Sequence, residues 1–345
     1  MSTAAHADLP LTGIRVVDLT RLLPGPLATR QLAELGAQVL KVEGPTEQGQ
    51  DDGTRTMGQT AAERASGEPA LTFRELNRGK ELLRIDLRTP DGAAELLELV
   101  RGADVLVEGF RPGVMDKLGL GWEVLRAANP KLVMCPISGY GQRSAWAHRA
   151  GHDINYIAMA GVLGQIATVD GELALPNFQI GDLLGGTQAA VAGILAGLLG
   201  AQRSGRGRFV DISMSHEVLR HHVLATCTLQ STGRSPVPGR DLLSGGAPCY
   251  GVYRTADGRH MAVGALEPKF WQALCAAIDR PEWAKSHWSQ GLKVGSEASM
   301  ALRAELAAVF AAQPLAHWIA RFDRVDACVT PVLRLDETLA HPIFF

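Results

Sequence analysis

Short apolar runs alternate with helix-like segments along the first half of the chain. Five runs rich in Val, Ile and Leu, each flanked by turn residues, predict buried strands at 14–19, 39–43, 83–87, 104–108 and 132–137. Apolar residues recur at helical spacing between them, at 27–35, 92–100 and 122–128. This alternation predicts an α/β fold whose sheet is mostly parallel, Rossmann-like and covered on both faces.

A long helix over 183–202, dense in Ala, Leu and Gly, closes this region, and Asp182 stands at its start. The helix's glycines would let another backbone approach closely. A basic, Gly-rich stretch at 203–208 ends the helix, and a strand follows at 209–212. We therefore place the end of a large α/β domain, 1–212, at this strand and interpret 213–249 as a linker.

The pattern that follows predicts a smaller α+β domain at 250–325. Strand-like runs at 250–253 and 260–266 flank Asp257-Gly258, a dipeptide that favours a tight hairpin turn. Helical spacing returns at 270–278 and 300–312.

Composition narrows the function classes. The chain has 345 residues, with 34 Lys and Arg against 36 Asp and Glu, and so lacks the broad positive charge of a nucleic-acid binder. The longest apolar run, 189–201, is shorter than the ~20 residues that cross a bilayer. Residues 1–10 show no secretory signal, so we expect no membrane partner and a cytoplasmic location. Five scattered cysteines without a CxxC pair argue against a disulfide framework or a zinc site.

Familiar motifs for several other chemistries are missing from the sequence. It has no GxGxxG, HExxH or GxSxG spacing and no phosphate-binding P-loop. Candidate chemistry is concentrated instead in 151–156, Gly-His-Asp-Ile-Asn-Tyr. Taken alone, this segment predicts a polar helix start at which Asp153 or Asn155 is the cap and His152 is solvated.

Two further carboxylates have both an ordinary and a functional interpretation. Asp182 follows Gly181 in the position of an N-cap, a role that stabilises a helix by ~1 kcal/mol. The same helix N-terminus favours negative charge, so Asp182 could equally be a functional carboxylate beside a substrate. Glu267 precedes Pro268 at the end of the second hairpin strand and would, on its own, be a surface acid.

Taken together, these segments resemble a known family. The matching stretches cover nearly the whole chain: VVDLTRLLPGP (16–26), NRGK (77–80), IDL (85–87), EGFRPGVMDKLGLGW (108–122), SGYGQ (138–142), AGHDINY (150–156), GDLLGGTQAAVAGILAGLL (181–199), GRGRFVDISM (205–214), GAPCYGVYRTADGRHMAVGALEPKFW (246–271) and DACVTPV (326–332). In this order they closely resemble the family III CoA-transferase superfamily and, within it, the α-methylacyl-CoA racemase branch. GHDINY and ALEP support the branch, because transferases of the superfamily typically keep the aspartate but lack this histidine and this glutamate.

The resemblance implies that the proton α to an acyl-CoA thioester is removed on one face and returned on the other. Inversion through a planar enolate needs a base and an acid on opposite sides. His152 and Asp182 match the two family bases, and Glu267 matches a third family residue, which we interpret as a partner of the imidazole. No metal or other cofactor is implied, since CoA is part of the substrate.

Two properties of the site around Asp182 follow from this interpretation. Burial disfavours a charged carboxylate, so we expect the pKa of Asp182 to be raised. Backbone N–H groups at the start of its helix are candidate donors to the enolate oxygen.

The family positions that contact CoA map onto a wider set of residues, and the CoA phosphates suit the basic ones. They are Ile85, Asp86, Leu87, Arg88, Gly109, Phe110, Arg111, Lys117, Gly151, Asp153, Ile154, Asn155 and Tyr156. The sequence departs from the family at Gly44, where relatives commonly carry an arginine toward the nucleotide end of CoA. We expect Lys41 or Arg88 to compensate.

The resemblance also implies an architecture and an assembly. Domain 1–212 would bind CoA, and 326–345 would return to it in apparently shortened form. Relatives form interlocked homodimers in which the small domain of one subunit closes over the large domain of the other. Glu267 would then reach the site from the partner subunit, whereas His152 and Asp182 come from one chain.

Three activities stay open on the sequence. The first is racemisation of a 2-methylacyl-CoA ester by His152 and Asp182. The second is CoA transfer, in which Asp182 attacks the acyl-CoA carbonyl as a nucleophile. The third is acyl-CoA binding without turnover, which the departure at Gly44 and the short C-terminal segment would favour.

Overall fold

The computed structural model describes residues 9–46, 51–168 and 170–344, and the chain divides into two compact units. The first unit comprises Met1–Val162 and Asn177–Val223, and the second comprises Leu163–Pro176 and Leu224–Phe345. Two hydrophobic clusters lie within the first unit and one within the second.

A seven-stranded sheet forms the centre of the first unit. Its strands are β1 (Arg15–Asp18), β2 (Gln38–Glu43), β3 (Glu81–Arg84), β4 (Val105–Glu108), β5 (Val133–Ser138), β6 (Arg208–Phe209) and β7 (Ile212–Ser213). The strand order is β3-β2-β1-β4-β5-β6, β7 pairs with β5, and all of these pairs are parallel. The predicted α/β fold with a mostly parallel sheet is confirmed, although the single strand predicted at 209–212 is two short strands.

Helices cover both faces of this sheet. They are α1 (Pro24–Glu34), α2 (Ala61–Ser66), α3 (Leu71–Leu76), α4 (Pro90–Arg101), α5 (Val114–Lys117), α6 (Trp122–Ala128), α7 (Asp153–Met159), α8 (Ala189–Ser204) and α9 (Met214–His221). Successive strand residues point to opposite faces, so Val16 belongs to one hydrophobic cluster and Val17 to the other. Because each cluster packs helices against one face, the central strands are apolar on both faces, as the sequence predicts.

The long helix of the first unit begins as a π-helix. Gly181–Gln188 is π-helical, and α8 continues it without a break. By length and mean hydropathy (24 residues, 1.6), Gly181–Ser204 could cross a membrane. Ile194 and Leu198 on it are buried in the core beside Val133 of β5, as expected of a core helix.

The second unit contains an antiparallel sheet of three strands. These are β8 (Tyr250–Arg254), β9 (His260–Gly264) and β10 (Val329–Pro331), in the order β10-β9-β8. Its helices are α10 (Val223–Thr232), α11 (Pro268–Ala277), α12 (Glu297–Ala311), α13 (Leu315–Phe322) and α14 (Leu335–Leu339). The hairpin predicted around Asp257-Gly258 is confirmed as β8 and β9.

The unit boundaries differ from those that the sequence suggested. The chain leaves the first unit at Leu163–Pro176 and rejoins it at Asn177. The stretch interpreted as a linker, 213–249, contains α9 and α10 and is divided between the units after Val223. Residues 326–345 were expected to return to the large domain, but they belong to the second unit. The physical reason is strand pairing: β10 hydrogen-bonds to β9, with Val329 opposite Val263.

Candidate functional site

A cleft of about 520 Å³ lies in the first unit at the carboxyl ends of β1, β4 and β5. The strand order reverses between β1 and β4, and parallel sheets bind ligands at such a point because the loops there diverge. The lining includes Thr20, Arg21, Leu22, Pro24, Gly25, Gly109, Phe110, Arg111, Ser138, Gly139, Arg149, Gly151, His152, Asn155, Tyr156 and Asp182.

His152 lies at the N-terminus of α7 with its side chain exposed to this cleft. Its backbone N–H donates to Oδ1 of Asn155 at 3.0 Å, and its carbonyl accepts from the N–H of Asn155 at 2.8 Å. The sequence suggested Asp153 or Asn155 as the cap of this helix. The cap position belongs instead to His152, and its two hydrogen bonds with Asn155 fix the backbone that carries the imidazole at the cleft.

Asp182 lines the same cleft and is only partly exposed. It lies inside the π-helix, whose N-cap position is Ile180, so the N-cap interpretation of Asp182 is wrong. Burial, and then the negative charge of Asp153, raise the pKa of Asp182 to about 6. The expected direction of the shift is confirmed, and the carboxyl can hold a proton near neutral pH.

The backbone N–H groups at the start of this helix are already engaged. The N–H of Asp182 donates to Oδ1 of Asp153 at 2.9 Å, and that of Leu183 donates to the carbonyl of Gln179 at 2.8 Å. The expectation that N–H groups here serve an enolate oxygen is therefore wrong for these two, because main-chain and carboxylate acceptors already take both.

Tyr156 supports the segment that carries His152. Its hydroxyl donates to the carbonyl of Gly151, and its ring meets that of Tyr140 edge-on, with centroids 5.4 Å apart. A Cβ at Gly139 or Gly151 would lie 2.3 or 2.8 Å from the Tyr156 ring, so only glycine fits at either position. Burial raises the pKa of Tyr156 to about 12, and the phenol therefore stays a neutral donor.

Glu267 belongs to the second unit. It is exposed at the N-cap position of α11, three residues after the end of β9. The preceding carbonyl, of Leu266, accepts a hydrogen bond from Nε1 of Trp288 at 3.0 Å.

Two further clefts of the first unit share residues with the main one. One has a volume of about 420 Å³ and includes Asp51 and Gly53, and the other has a volume of about 220 Å³ and includes Gly44 and Arg88. Arg21 and Phe110 line all three clefts. The three clefts therefore adjoin one another around these two side chains.

Most of the residues predicted to contact CoA line one of these clefts. Those that do are Ile85, Leu87, Arg88, Gly109, Phe110, Arg111, Gly151, Asn155 and Tyr156. The remaining four are not among the lining residues: Asp86, Lys117, Asp153 and Ile154. Asp86 pairs with Arg88 at 3.0 Å, and Asp153 contacts the backbone of Asp182, so these two act on cleft residues rather than facing the clefts.

Lys41 and Arg88, the two residues expected to compensate for the missing arginine at Gly44, lie in different surroundings. Nζ of Lys41 is buried, 2.8 Å from the carbonyl of Thr20 and 3.2 Å from Oδ2 of Asp52, so the expectation for Lys41 is wrong. Arg88 lines the same cleft as Gly44. Sequence reasoning missed Arg84, whose Nη1 donates to the Gly44 carbonyl at 3.0 Å because β3 pairs with β2 at Glu43.

A buried ion cluster underlies the β1 loop and was also missed. Nζ of Lys80 lies 3.0 Å from Oδ2 of Asp18, and the two side chains are 1% and 0% exposed. Burial alone would raise the pKa of Asp18, but the ammonium groups of Lys80 and Lys41 hold it well below its usual range. The signal in the sequence was an aspartate between the apolar residues Val17 and Leu19.

No group of three or more His, Cys, Asp or Glu side chains within the described ranges is arranged to hold a metal ion.

The chain is similar to known proteins over most of its length. A sequence model of CoA-transferase family III matches residues 11–345. The chain is 36% identical to an alpha-methylacyl-CoA racemase of Homo sapiens, over 96% of this chain and 80% of the relative. It is 33% identical to an acetyl-CoA:oxalate CoA-transferase of Acetobacter aceti, over 99% and 85% of the two chains. A crystal structure of a CAIB/BAIF family protein from Brucella suis superposes with a TM-score of 0.82 at 28% identity, covering 97% of this chain and 87% of that one.

Proposed function

The chain belongs to CoA-transferase family III, and on that premise we propose that it interconverts the (2R) and (2S) forms of a 2-methylacyl-CoA ester. The observation that carries the proposal is that His152 and Asp182 line one cleft, and that the Asp182 pKa is raised to about 6. A carboxyl that holds a proton near neutral pH can serve as the acid in one direction and as the base in the other, as a reversible 1,1-proton transfer shared with the His152 imidazole requires.

The proposed reaction is a balanced proton exchange. One of the two groups removes the proton from C2, and the electron pair of the broken C–H bond moves into an enolate of the thioester. The other group then donates its proton to the opposite face of C2 and restores the thioester. One proton leaves and one returns, so the reaction needs no oxidant, reductant or cofactor beyond the CoA of the substrate.

The three adjoining clefts support the proposal of an acyl-CoA ligand. The cleft with Gly44 and Arg88 and the cleft with His152 and Asp182 adjoin at Arg21 and Phe110. We propose that the nucleotide occupies the first and the thioester the second. Phe110, which lines all three clefts, would then contact the pantetheine arm that links the nucleotide to the thioester.

The proposal also covers the assembly. We propose an interlocked homodimer in which Glu267 of the partner subunit orients the His152 imidazole. A carboxylate in this role would stabilise the imidazolium and fix its tautomer.

CoA transfer is the second candidate, because transferase relatives match almost as well as the racemases. Asp182 would attack the acyl carbonyl and expel the CoA thiolate, and the thiolate would then displace the acid from the aspartyl anhydride. The raised Asp182 pKa favours the racemase, since a nucleophile acts as the carboxylate whereas an acid–base group must hold a proton as well.

Deuterium exchange separates the candidates. Incubation with (2R)-2-methylacyl-CoA in D2O should place deuterium at C2 and yield both epimers, read by mass spectrometry and chiral chromatography. A transferase would instead move CoA to an added free acid and form an adduct on Asp182 that hydroxylamine cleaves. Calorimetric binding of the ester with neither exchange nor transfer would mean a binding protein and would overturn the proposal.

A further inference from the structure

Arg21 is a cationic side chain in the shared wall of all three clefts. Two other arginines near the clefts are ion-paired, Arg55 with Glu43 and Arg88 with Asp86, whereas Arg111 lines two of the clefts beside Arg21. Within the described ranges no carboxylate lies at ion-pair distance from Arg21. Its guanidinium is therefore available to an anionic group in the cleft.

The backbone on both sides of Arg21 is anchored by buried groups. The carbonyl of Thr20 accepts from Nζ of Lys41 at 2.8 Å, and the N–H of Leu22 donates to Oδ1 of Asp52 at 3.1 Å. Lys41 and Asp52 pair with each other at 3.2 Å, and their side chains are 1% and 0% exposed. One ion pair thus holds the residues before and after Arg21.

Leu22 has a left-handed backbone conformation, with φ of 65°. Such a conformation is unfavourable for a branched side chain and persists where surrounding contacts impose it. Here the contact is the hydrogen bond to Asp52. Burying two charges is itself unfavourable, so an ion pair that imposes a strained turn under a ligand cleft has the features of a functional device.

We propose that Arg21 binds an anionic oxygen group of the ligand and that the Lys41–Asp52 pair positions it. The guanidinium suits such a group because it offers paired N–H donors that match the oxygens of a phosphate or a carboxylate. The anion is either a phosphate of CoA or a carboxylate on the acyl group. This inference rests on the proposed acyl-CoA ligand and adds the residue that recognises its charge.

Equilibrium binding to Arg21→Gln tests the recognition role. The probes are CoA, butyryl-CoA, succinyl-CoA and S-butyrylpantetheine, measured by calorimetry. Charge-assisted hydrogen bonds contribute enough that their loss weakens binding roughly 10- to 100-fold. Loss for every CoA compound but not for the pantetheine ester identifies a phosphate, and loss for succinyl-CoA alone identifies an acyl carboxylate.

The control is Arg126→Gln, which removes an exposed arginine paired with Glu123. It should bind all four probes as the wild type does. Unchanged binding of all four by Arg21→Gln would overturn the inference. Arg21→Lys keeps the charge but not the paired donors and should recover only part of the affinity.

A double-mutant cycle tests the positioning role. Asp52→Ala removes the acceptor for Leu22 and should weaken CoA binding in the wild type but add nothing in the Arg21→Gln background. Asp52→Asn keeps an oxygen acceptor and should recover most of the affinity, which a general loss of stability would not allow. Equal, additive losses in both backgrounds would overturn the positioning role. Should Asp52→Ala not fold, the same cycle is run with Lys41→Gln in the wild-type and Arg21→Gln backgrounds, because Lys41 anchors the Thr20 carbonyl.

Failure of this inference is distinguishable from failure of the proposed function. The inference is read from binding, whereas racemisation is read from deuterium at C2. A wild type that binds CoA through Arg21 without exchange keeps the inference and overturns the racemase. A wild type that exchanges deuterium at C2, together with an Arg21→Gln variant that binds all four probes normally, overturns the inference and keeps the racemase.

Discussion

The carboxylate of Asp153 accepts a hydrogen bond from the backbone N–H of Asp182 at 2.9 Å. This bond ties the first residue of α7 to the π-helix and so joins the segment that carries His152 to the one that carries Asp182. The same carboxylate contributes to the raised Asp182 pKa, after burial. Asp153 therefore acts on both the position and the proton affinity of its neighbour.

Asp153→Asn should separate these two effects. The amide oxygen still accepts from the Asp182 N–H, but the negative charge is gone, so the Asp182 pKa should fall part of the way back toward 3.8. The acidic limb of the exchange rate against pH should move to lower pH with little change in ester binding. A limb that stays in place would show that burial alone sets the pKa.

His152→Ala and Asp182→Asn should each remove one proton-transfer group. Loss of such a group typically costs about 100- to 10,000-fold in rate, so we expect C2 exchange to fall by at least about 100-fold while CoA ester binding remains. His148→Ala is the control, because His148 is exposed nearby and does not line the cleft. Normal exchange in either cleft variant would remove that residue from the mechanism.

Asp182→Asn should also change stability in a pH-dependent way. Since the native state holds this proton more tightly than the unfolded chain, native stability falls as the pH rises from 3.8 through about 6. Two pKa units correspond to ~3 kcal/mol, and partial exposure reduces this, so we expect the variant to be more stable by about 1–2 kcal/mol at pH 8. Urea unfolding at pH 8 and pH 4 measures it, and a gain of the same size at both would contradict the assignment.

Lys80→Met should be strongly destabilising. It leaves the carboxylate of Asp18 buried without its nearest cation, which costs about 3–5 kcal/mol in comparable pairs. Removing the charge as well, in Asp18→Asn with Lys80→Met, should recover part of this loss. Denaturant unfolding measures both, with Lys131→Met as an exposed control. A loss below about 1 kcal/mol for Lys80→Met would show that Lys41 and the hydroxyls of Thr20 and Thr29, which donate to the Asp18 carboxylate, are sufficient partners.

Glu267→Gln tests the orienting role given to this residue. If Glu267 supports the imidazolium of His152, removing its charge should lower the exchange rate and shift the limb of the pH profile that reports the imidazole to lower pH. Ester affinity should be unchanged. Glu282→Gln, another exposed acid of the second unit, is the control. A profile with wild-type shape and rate would make Glu267 a structural residue of the α11 N-terminus.

Local patterns in the sequence determined most elements of the fold. The runs over β1, β4 and β5 are mostly apolar because these strands have buried residues on both faces. Asp257-Gly258 marks the hairpin because its backbone suits a tight turn. The site residues came from matching motifs, since neither His152 nor Asp182 is distinctive alone. The bounds of edge strands and short elements were harder to predict. β3 begins before its predicted run because an exposed edge strand carries little apolar signal.

Only the tertiary structure decided how distant residues act on one another. It paired 326–345 with the second unit through β10, and it buried Lys41, which we expected to compensate for Gly44 at the nucleotide, against Asp52. It also joined Asp153 to Asp182, which are 29 positions apart. Periodicity and turn chemistry are properties of neighbouring residues, whereas burial, ion pairing and pKa depend on which groups the folded chain brings within a few ångströms, and a sequence pattern does not contain that information.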